Sequence, residues 1–377
     1  CIRDSTYSVY GMSRLNSTEL AYFLTGKIAS AFYAIPLYDH LRLRLFNVFL
    51  FFLLLLSWHY HRNSVFFFIP MLITPQAWYL FSYVNSDAFA LFVSLMICQQ
   101  LVFPDTLLKR CWYAQEGEPW LVTRTVACGM LFGLLLFSKA NFYIVYVFVS
   151  GYVLIELFFS ERRLDIPWRR TAEILFGILI VSVFAYGPHA LVNGLDRIPA
   201  ITECREKLAR KIYKPSTPLD EKGVNLYLKR KGIPLSYMLD EMTWGGRIFR
   251  SSVGVYGYLK YAGPEKYYQA MKVLLIIFGA VIVFLGLLRG DNQSRLLLLW
   301  TIFCILLLIA IVMRRSWVSD VQPQGRYLMP ILPMVGVMMY RLRSVLDKPV
   351  VHLITLLLFL ASSYSFIFIG LSQIPKV

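Results

Sequence analysis

The sequence predicts an all-α, polytopic membrane protein of about ten transmembrane helices with one large outer loop. Three observations carry this. Of the 377 residues, 58% are hydrophobic and 16% charged, where soluble domains usually carry about 45–50% and about 25%. Mean hydropathy is +0.58. The apolar residues gather in runs close to the roughly 20 residues that a bilayer crossing requires. This composition argues against a soluble enzyme. It also excludes a disordered chain, which is poor in aromatic and aliphatic residues; aromatics here make up 16%.

The elements follow in order. Segment 18–36, TELAYFLTGKIASAFYAIP, carries Glu19 and Lys27 and reads as an interfacial helix rather than a span. Spans are expected at 43–59, 65–83, 87–104, 121–138, 140–159 and 172–190, then at 271–288, 295–313, 327–341 and 349–372. Three regions result: an N-terminal membrane region over 1–190, a large loop over 191–270, and a C-terminal membrane region over 271–377. The loop is rich in Lys, Arg and Glu, so it lies outside lipid. Its end, Ser251 to Tyr258, is aromatic and Gly-rich and reads as a folded return to the interface that Tyr and Trp favour. No internal repeat or low-complexity tract is visible.

The charge balance is 38 Lys and Arg against 22 Asp and Glu, a net +16. Most basic residues fall between apolar runs, which is how membrane proteins encode orientation. The excess therefore points to a lipid bilayer and not to nucleic acid. With the first run passing from outside to inside, the inner connections hold His59, His61 and Arg62, then Lys109 and Arg110, Arg162 and Arg163, Arg289 and Arg295, and Arg341, Arg343 and Lys348. The short outer connections hold Lys139, Arg314, Arg315 and Arg326. This places both chain ends and loop 191–270 outside. The chain opens on Cys1 rather than Met, and a native cytoplasmic N-terminus would require one further span, so an N-terminal span is expected to be missing. Among the six cysteines no C-x-x-C occurs, and no H-E-x-x-H is present, so neither a disulfide framework nor a metal site is indicated.

Polar residues inside apolar runs are the candidates for chemistry, and under this topology most lie on the outer side. In Tyr83-Val84-Asn85-Ser86-Asp87, Asp87 reads either as a helix N-cap or as a carboxylate that orients or deprotonates an acceptor. In Ser138-Lys139-Ala140-Asn141, Lys139 either snorkels to water or meets a phosphate as a point charge. The segment from Arg314 to Pro333 holds Arg314, Arg315, Gln324, Gly325, Arg326 and Tyr327. Its three arginines oppose the positive-inside trend, and Arg forks bind phosphate oxygens in pairs. Gly325 permits close backbone approach, and Pro330 and Pro333 disturb the following helix. In Arg250 to Tyr258, Gly254, Tyr256, Gly257 and Tyr258 form either a turn with interfacial anchors or an aromatic shelf for a sugar. Glu156 reads as a partner of Arg162 or Arg163, His189 as a hydrogen-bonded helix-end residue, and Phe66 to Phe68 as packing or lipid-facing.

Taken in sequence, Ser-Tyr-Val-Asn-Ser-Asp, Phe-Ser-Lys-Ala-Asn-Phe-Tyr, Ser-Ser-Val-Gly-Val-Tyr-Gly-Tyr and Gln-Gly-Arg-Tyr-Leu-Met-Pro-Ile-Leu-Pro resemble a family of bacterial multi-spanning proteins grouped with the GT-C glycosyltransferases. That group includes protein O-mannosyltransferases and the aminoarabinose transferase of lipid A. The resemblance covers roughly residues 40–370. It implies transfer of a sugar from a polyprenyl-phosphate donor to an extracytoplasmic glycan, lipid or protein acceptor, on the outer face of the bacterial inner membrane. No nucleotide-binding fingerprint is required, and none occurs. Some members use a divalent cation and others none.

Carried over residue by residue, Arg326 and Tyr327 match the Arg-Tyr before the Pro-containing span, where Arg326 would stabilise the leaving phosphate. Lys139 would be a second phosphate contact, with Arg314 and Arg315 as further cations. Asn85 and Asp87 match an Asn-x-Asp string, and Gly254, Tyr256 and Gly257 match the outer-loop string; these, with Gln324 and Tyr258, would position substrate. One departure stands out. The group usually carries an acidic residue in a Pro-Asp-Glu-like string after its first span, as the base. Asp4 and Asp39 alone precede the first apolar run here, and neither has that context. Two rivals remain: a transporter or flippase of lipid-linked saccharides, and a catalytically inactive envelope-assembly partner.

Overall fold

The computed structural model describes residues 20–61, 64–112, 119–159, 172–173, 175–184, 197–257 and 259–373. The N-terminal half runs α1 (Leu20–Ala31), α2 (Asp39–Tyr60), α3 (Val65–Leu72), α4 (Pro75–Ser82), α5 (Ser86–Val102), α6 (Leu107–Trp112), α7 (Leu121–Leu136), α8 (Ile144–Phe159) and α9 (Leu175–Phe184). The loop region holds α10 (Arg197–Leu208), α11 (Leu235–Asp240) and α12 (Trp244–Gly254), then a two-stranded antiparallel ribbon. The ribbon, β1 (Val255–Tyr256) and β2 (Tyr261–Ala262), pairs Val255 with Ala262. The C-terminal half is α13 (Glu265–Arg289), α14 (Asn292–Val318), α15 (Ile331–Arg341), α16 (Arg343–Leu346) and α17 (Pro349–Tyr364). Among the described residues the chain is all-α apart from that ribbon and one isolated bridge between Leu226 and Asp320.

Among the described residues, five segments are long and apolar enough to cross a bilayer: Asp39–Tyr60, Ala140–Phe159, Glu265–Arg289, Asn292–Val318 and Pro349–Leu371. A sixth results if α3 and α4 count as one broken span, and α5, α7 and α9 are shorter apolar helices. Large apolar side chains stand exposed along the long helices, among them Ile276, Phe284 and Leu288 on α13, Leu299 and Leu306 on α14, and Leu353 and Leu360 on α17. A soluble monomer rarely exposes apolar surface of that extent, so the architecture is that of a multi-pass membrane protein.

Of the ten expected runs, 87–104 and 121–138 form helices shorter than a span, and two others are broken. Run 65–83 breaks into α3 and α4, which meet at 79°. Pro75 opens α4 and leaves Thr74 extended, as a residue before proline prefers. The carbonyls that the break frees are claimed elsewhere. Thr74 Oγ1 donates to the Pro70 carbonyl at 2.7 Å, Trp78 Nε1 to Met71 at 2.9 Å and Ser362 Oγ to Ile73 at 2.7 Å. Run 327–341 divides into a 3-10 turn, Gly325–Leu328, and the 11-residue α15. Along with α5, α3 and α15 are buried on most sides. An all-round apolar helix reports burial in protein as readily as contact with lipid, which is why counting runs gave more spans than helix length supports.

Loop 197–257 is fastened to one end of the bundle. Tyr227 N donates to the Ser319 carbonyl at 2.9 Å, Lys229 N to Trp317 at 3.1 Å, and Val321 N to Asn225 at 2.9 Å. Trp317 Nε1 donates to Ile233 O at 2.9 Å. The connections 83–85, 137–139 and 319–330 meet at this loop-bearing end. Glu156 lies within electrostatic reach of Lys109; its expected partners Arg162 and Arg163 fall outside the described residues, as does His189.

Candidate functional site

The site begins with a buried carboxylate. Asn85 caps α5, its side chain accepting from Ala88 N at 2.8 Å, so the cap is Asn85 rather than Asp87. Asn85 also donates to the Tyr83 carbonyl at 2.9 Å, and Asn47 on α2 donates to the same carbonyl at 2.6 Å. This fixes the turn and directs Asp87, in the first turn of α5, into the protein. The Asp87 side chain is 0% exposed. Its Oδ2 takes a 2.7 Å ion pair from Lys139 Nζ and lies 3.7 Å from an Arg326 guanidinium nitrogen. The structure thus brings together three of the residues singled out in the sequence, from three separate connections.

Burial decides their roles. Lys139 is 19% exposed and Arg326 18%, so the two cations reach outward while the carboxylate does not. Asp87 neutralises one of them, which leaves the cluster with a net positive charge. As a buried counter-ion Asp87 holds both cations in place; it does not face an open acceptor space as the alternative reading required. Burial is the largest influence on Arg326 and disfavours its charge, but Asp87 leads the groups that outweigh it, and the net shift is upward. The guanidinium also lies 5.5 Å from the Tyr327 ring centroid.

Arg326 opens onto a cleft of about 80 Å3. Gln76, Tyr79 and Tyr83 form one wall; Ser251, Gln324 and Arg326 contribute to the other. Gln76 and Tyr79 share one face of α4, being three apart on a helix, and the Tyr83 ring, just past the helix end, packs 4.7 Å from the Tyr79 ring. The second wall depends on Gly325. A Cβ there would collide with the backbone of Ser252, and the Gly325 N–H donates to Ser251 Oγ at 2.6 Å. Glycine lets the turn lie directly on α12. Behind Arg326, Tyr327 donates to Gln322 Oε1 at 2.7 Å, and Gln322 donates to Asp320 Oδ2 at 2.6 Å. Burial pushes the Asp320 carboxyl above the ordinary carboxylate value.

Two buried polar atoms of the cleft lining, Arg326 Nε and Gln76 Oε1, have no hydrogen-bond partner among the described residues, nor do Asn47 Oδ1, Ser86 Oγ and Asp87 Oδ1 around the buried carboxylate. Buried polar groups are normally satisfied, so unmet atoms beside a cleft mark it as a place for a ligand.

Other expected residues sit differently. Arg314 and Arg315 are exposed on the end of α14 and neither lines the cleft. Gly254 adopts a positive φ of 138°, and a Cβ there would strike Ser365 Oγ; its carbonyl accepts from Tyr268 OH at 2.8 Å. Tyr256 is 0% exposed, meets Ser365 Oγ at 2.9 Å and packs edge-on against Tyr79. It backs the cleft wall and offers no free face to a sugar, so of the two readings of this string the shelf does not hold at Tyr256. Gly257 N donates to Tyr79 OH at 3.0 Å. Tyr258 lies outside the described residues. Gln76, Tyr79 and Asn47 escaped the sequence reading. The signal for the first two was a Gln76, Tyr79, Tyr83 stripe at helical spacing inside an apolar run. Compared with protein-family models, curated proteins and solved structures, the chain has no match.

Proposed function

We propose that the chain is a GT-C-type glycosyltransferase that uses a polyprenyl-phosphate sugar, with its cleft on the extracytoplasmic face of a bacterial inner membrane. The observation that carries this reading is Arg326, held by a buried carboxylate at the edge of a tyrosine-walled cleft with its Nε unpaired. A planar guanidinium fits phosphate oxygens in pairs. Lys139 supplies a second positive charge 2.7 Å from the same carboxylate oxygen.

In the reaction, an acceptor hydroxyl oxygen attacks the anomeric carbon and the bond from that carbon to the phosphate oxygen breaks. The bonding electron pair leaves with the lipid phosphate, and Arg326 and Lys139 stabilise the charge that develops there. The hydroxyl proton passes to a base. Some GT-C enzymes use a divalent ion, but the arrangement here does not fit one. The Asp87 carboxylate is already held by two cations, and among the described residues no cluster of three His, Cys, Asp or Glu side chains is present. No step is routed through a metal.

Two observations favour the rivals. No carboxylate lines the cleft among the described residues, as an inactive partner that still binds a lipid phosphate would have it. The 79° break between α3 and α4 is a feature of transporters, whose broken helices line substrate sites. Here the broken segment carries Gln76, Tyr79 and Tyr83 to the same cleft. The test is turnover of purified protein in detergent with a panel of polyprenyl-phosphate sugars, following release of polyprenyl phosphate. Release that disappears in Arg326→Ala supports the transferase; undiminished release in that variant overturns the assignment of the phosphate site.

A further inference from the structure

Gln76 is 6% exposed, in the first turn of α4, directly after the break that Pro75 imposes. An amide at that depth is costly unless it is hydrogen-bonded, yet Oε1 has no partner. Helix-break chemistry does not account for it, because the freed carbonyls of Pro70, Met71 and Ile73 are taken by Thr74, Trp78 and Ser362. The other wall groups are engaged. Tyr79 OH accepts from Gly257 N, and Ser251 Oγ accepts from Gly325 N. Among the described cleft-lining residues, the buried unmet atoms are therefore Gln76 Oε1 and Arg326 Nε.

These two ask for different things. Arg326 Nε is a donor and calls for an anionic oxygen. Gln76 Oε1 is an acceptor and calls for a hydroxyl or amine hydrogen. A hydroxyl suits the amide in either orientation of its O and N, since a hydroxyl both donates and accepts. We propose that Gln76 is the specificity-determining residue of the cleft, reading a hydroxyl of a polyol carried on the phosphate that Arg326 holds. The ligand class is then a phosphate ester of a hydroxylated group, not a phosphate alone. This rests on the phosphate reading of Arg326 given above. A site with a buried amide aimed at a hydroxyl rejects an analogue lacking it far more strongly than an apolar pocket discriminates by size.

The experiment measures binding to the full chain in detergent of undecaprenyl-phosphate glucose, its monodeoxy analogues and bare undecaprenyl phosphate. The proteins are wild type, Gln76→Leu, Gln76→Met and Arg326→Ala. In wild type, at least one monodeoxy analogue should bind at least about 10-fold more weakly than the parent. In either Gln76 variant that discrimination should vanish, while the affinity for bare undecaprenyl phosphate stays within about 2-fold. The wild-type comparison of analogues does not depend on the variants folding. Equal binding of every analogue by wild type, with Arg326-dependent binding of the bare lipid phosphate, overturns the role of Gln76 and leaves the phosphate site standing. Failure of wild type to bind any of these lipids overturns both.

Discussion

The two ends of the bundle carry cavities of opposite character. At the loop-bearing end the cleft is about 80 Å3. At the other end, Tyr60 at the close of α2, His61 after it, Phe66 on α3, Phe103 after α5, and Tyr340 and Arg343 line a space of about 870 Å3. The larger one is chemically quiet. Ser64 Oγ donates to the His61 carbonyl, Arg343 donates to the Tyr340 carbonyl at 2.9 Å, and Asp347 pairs with His352 at 2.8 Å. None of its lining side chains has a buried atom without a partner. Arg326 lines the small cleft and is held from behind by the buried Asp87 carboxylate, which also pairs with Lys139; Arg326 Nε and Gln76 Oε1 on the lining are unmet. Volume follows from how helix ends splay apart. A buried polar atom left without a partner is costly. The small cleft is therefore the one proposed above as the phosphate site.

The comparison can be broken first at Arg326. Arg326→Ala should lower turnover by about 10²–10³-fold, measured as polyprenyl phosphate released, with the thermal unfolding profile kept. The next largest effect is on stability. Asp87→Ala leaves Lys139 and Arg326 facing each other without their counter-ion, and loss of one partner of a buried ion pair costs about 3–5 kcal/mol. Thermal unfolding in detergent should show it, and an unchanged transition would remove Asp87 from its structural role. Gly325→Ala should push the turn off α12 through its clash with Ser252. Overpacking of this kind costs about 1–3 kcal/mol and should weaken lipid-phosphate binding as well.

A smaller effect concerns pH. Burial raises the Asp320 pKa above its unfolded value near 3.8, so the folded state binds a proton more readily than the unfolded one. Between the two values, stability should fall as pH rises. Asp320→Asn should flatten that slope in a stability-against-pH series. Last, at the quiet end, Arg343→Ala should stay within about 0.5 kcal/mol of wild type and leave turnover unchanged. A loss of turnover there would reverse the comparison.

Much of this was legible in the sequence. The runs that became α2, α8, α13, α14 and α17 combined length with apolarity. Helix length does not confirm the runs at α3 and α15 as separate spans, because composition does not distinguish lipid from protein as the apolar neighbour. Asn85, Lys139, Gln324 and Arg326 stood out as polar residues in one layer, and the structure gathers them at one end. The pairing of Asp87 with Lys139 spans 52 positions in sequence and no local pattern encodes it. A tyrosine in a Gly-rich string looks the same whether it ends on a surface or, like Tyr256, in the core. Gln76 was overlooked because one glutamine in an apolar run resembles a helix-end residue; only the break at Thr74 turns it toward the cleft.

The most direct test of the proposed anion site is photocrosslinking with undecaprenyl phosphate that carries a diazirine beside its phosphate, followed by peptide mapping of the intact protein. Labelled peptides from 76–87 and 322–327, competed by unmodified undecaprenyl phosphate and lost in Arg326→Ala, are the predicted result. Competed labelling confined to 60–66 and 340–347 would contradict it and move the site to the opposite end.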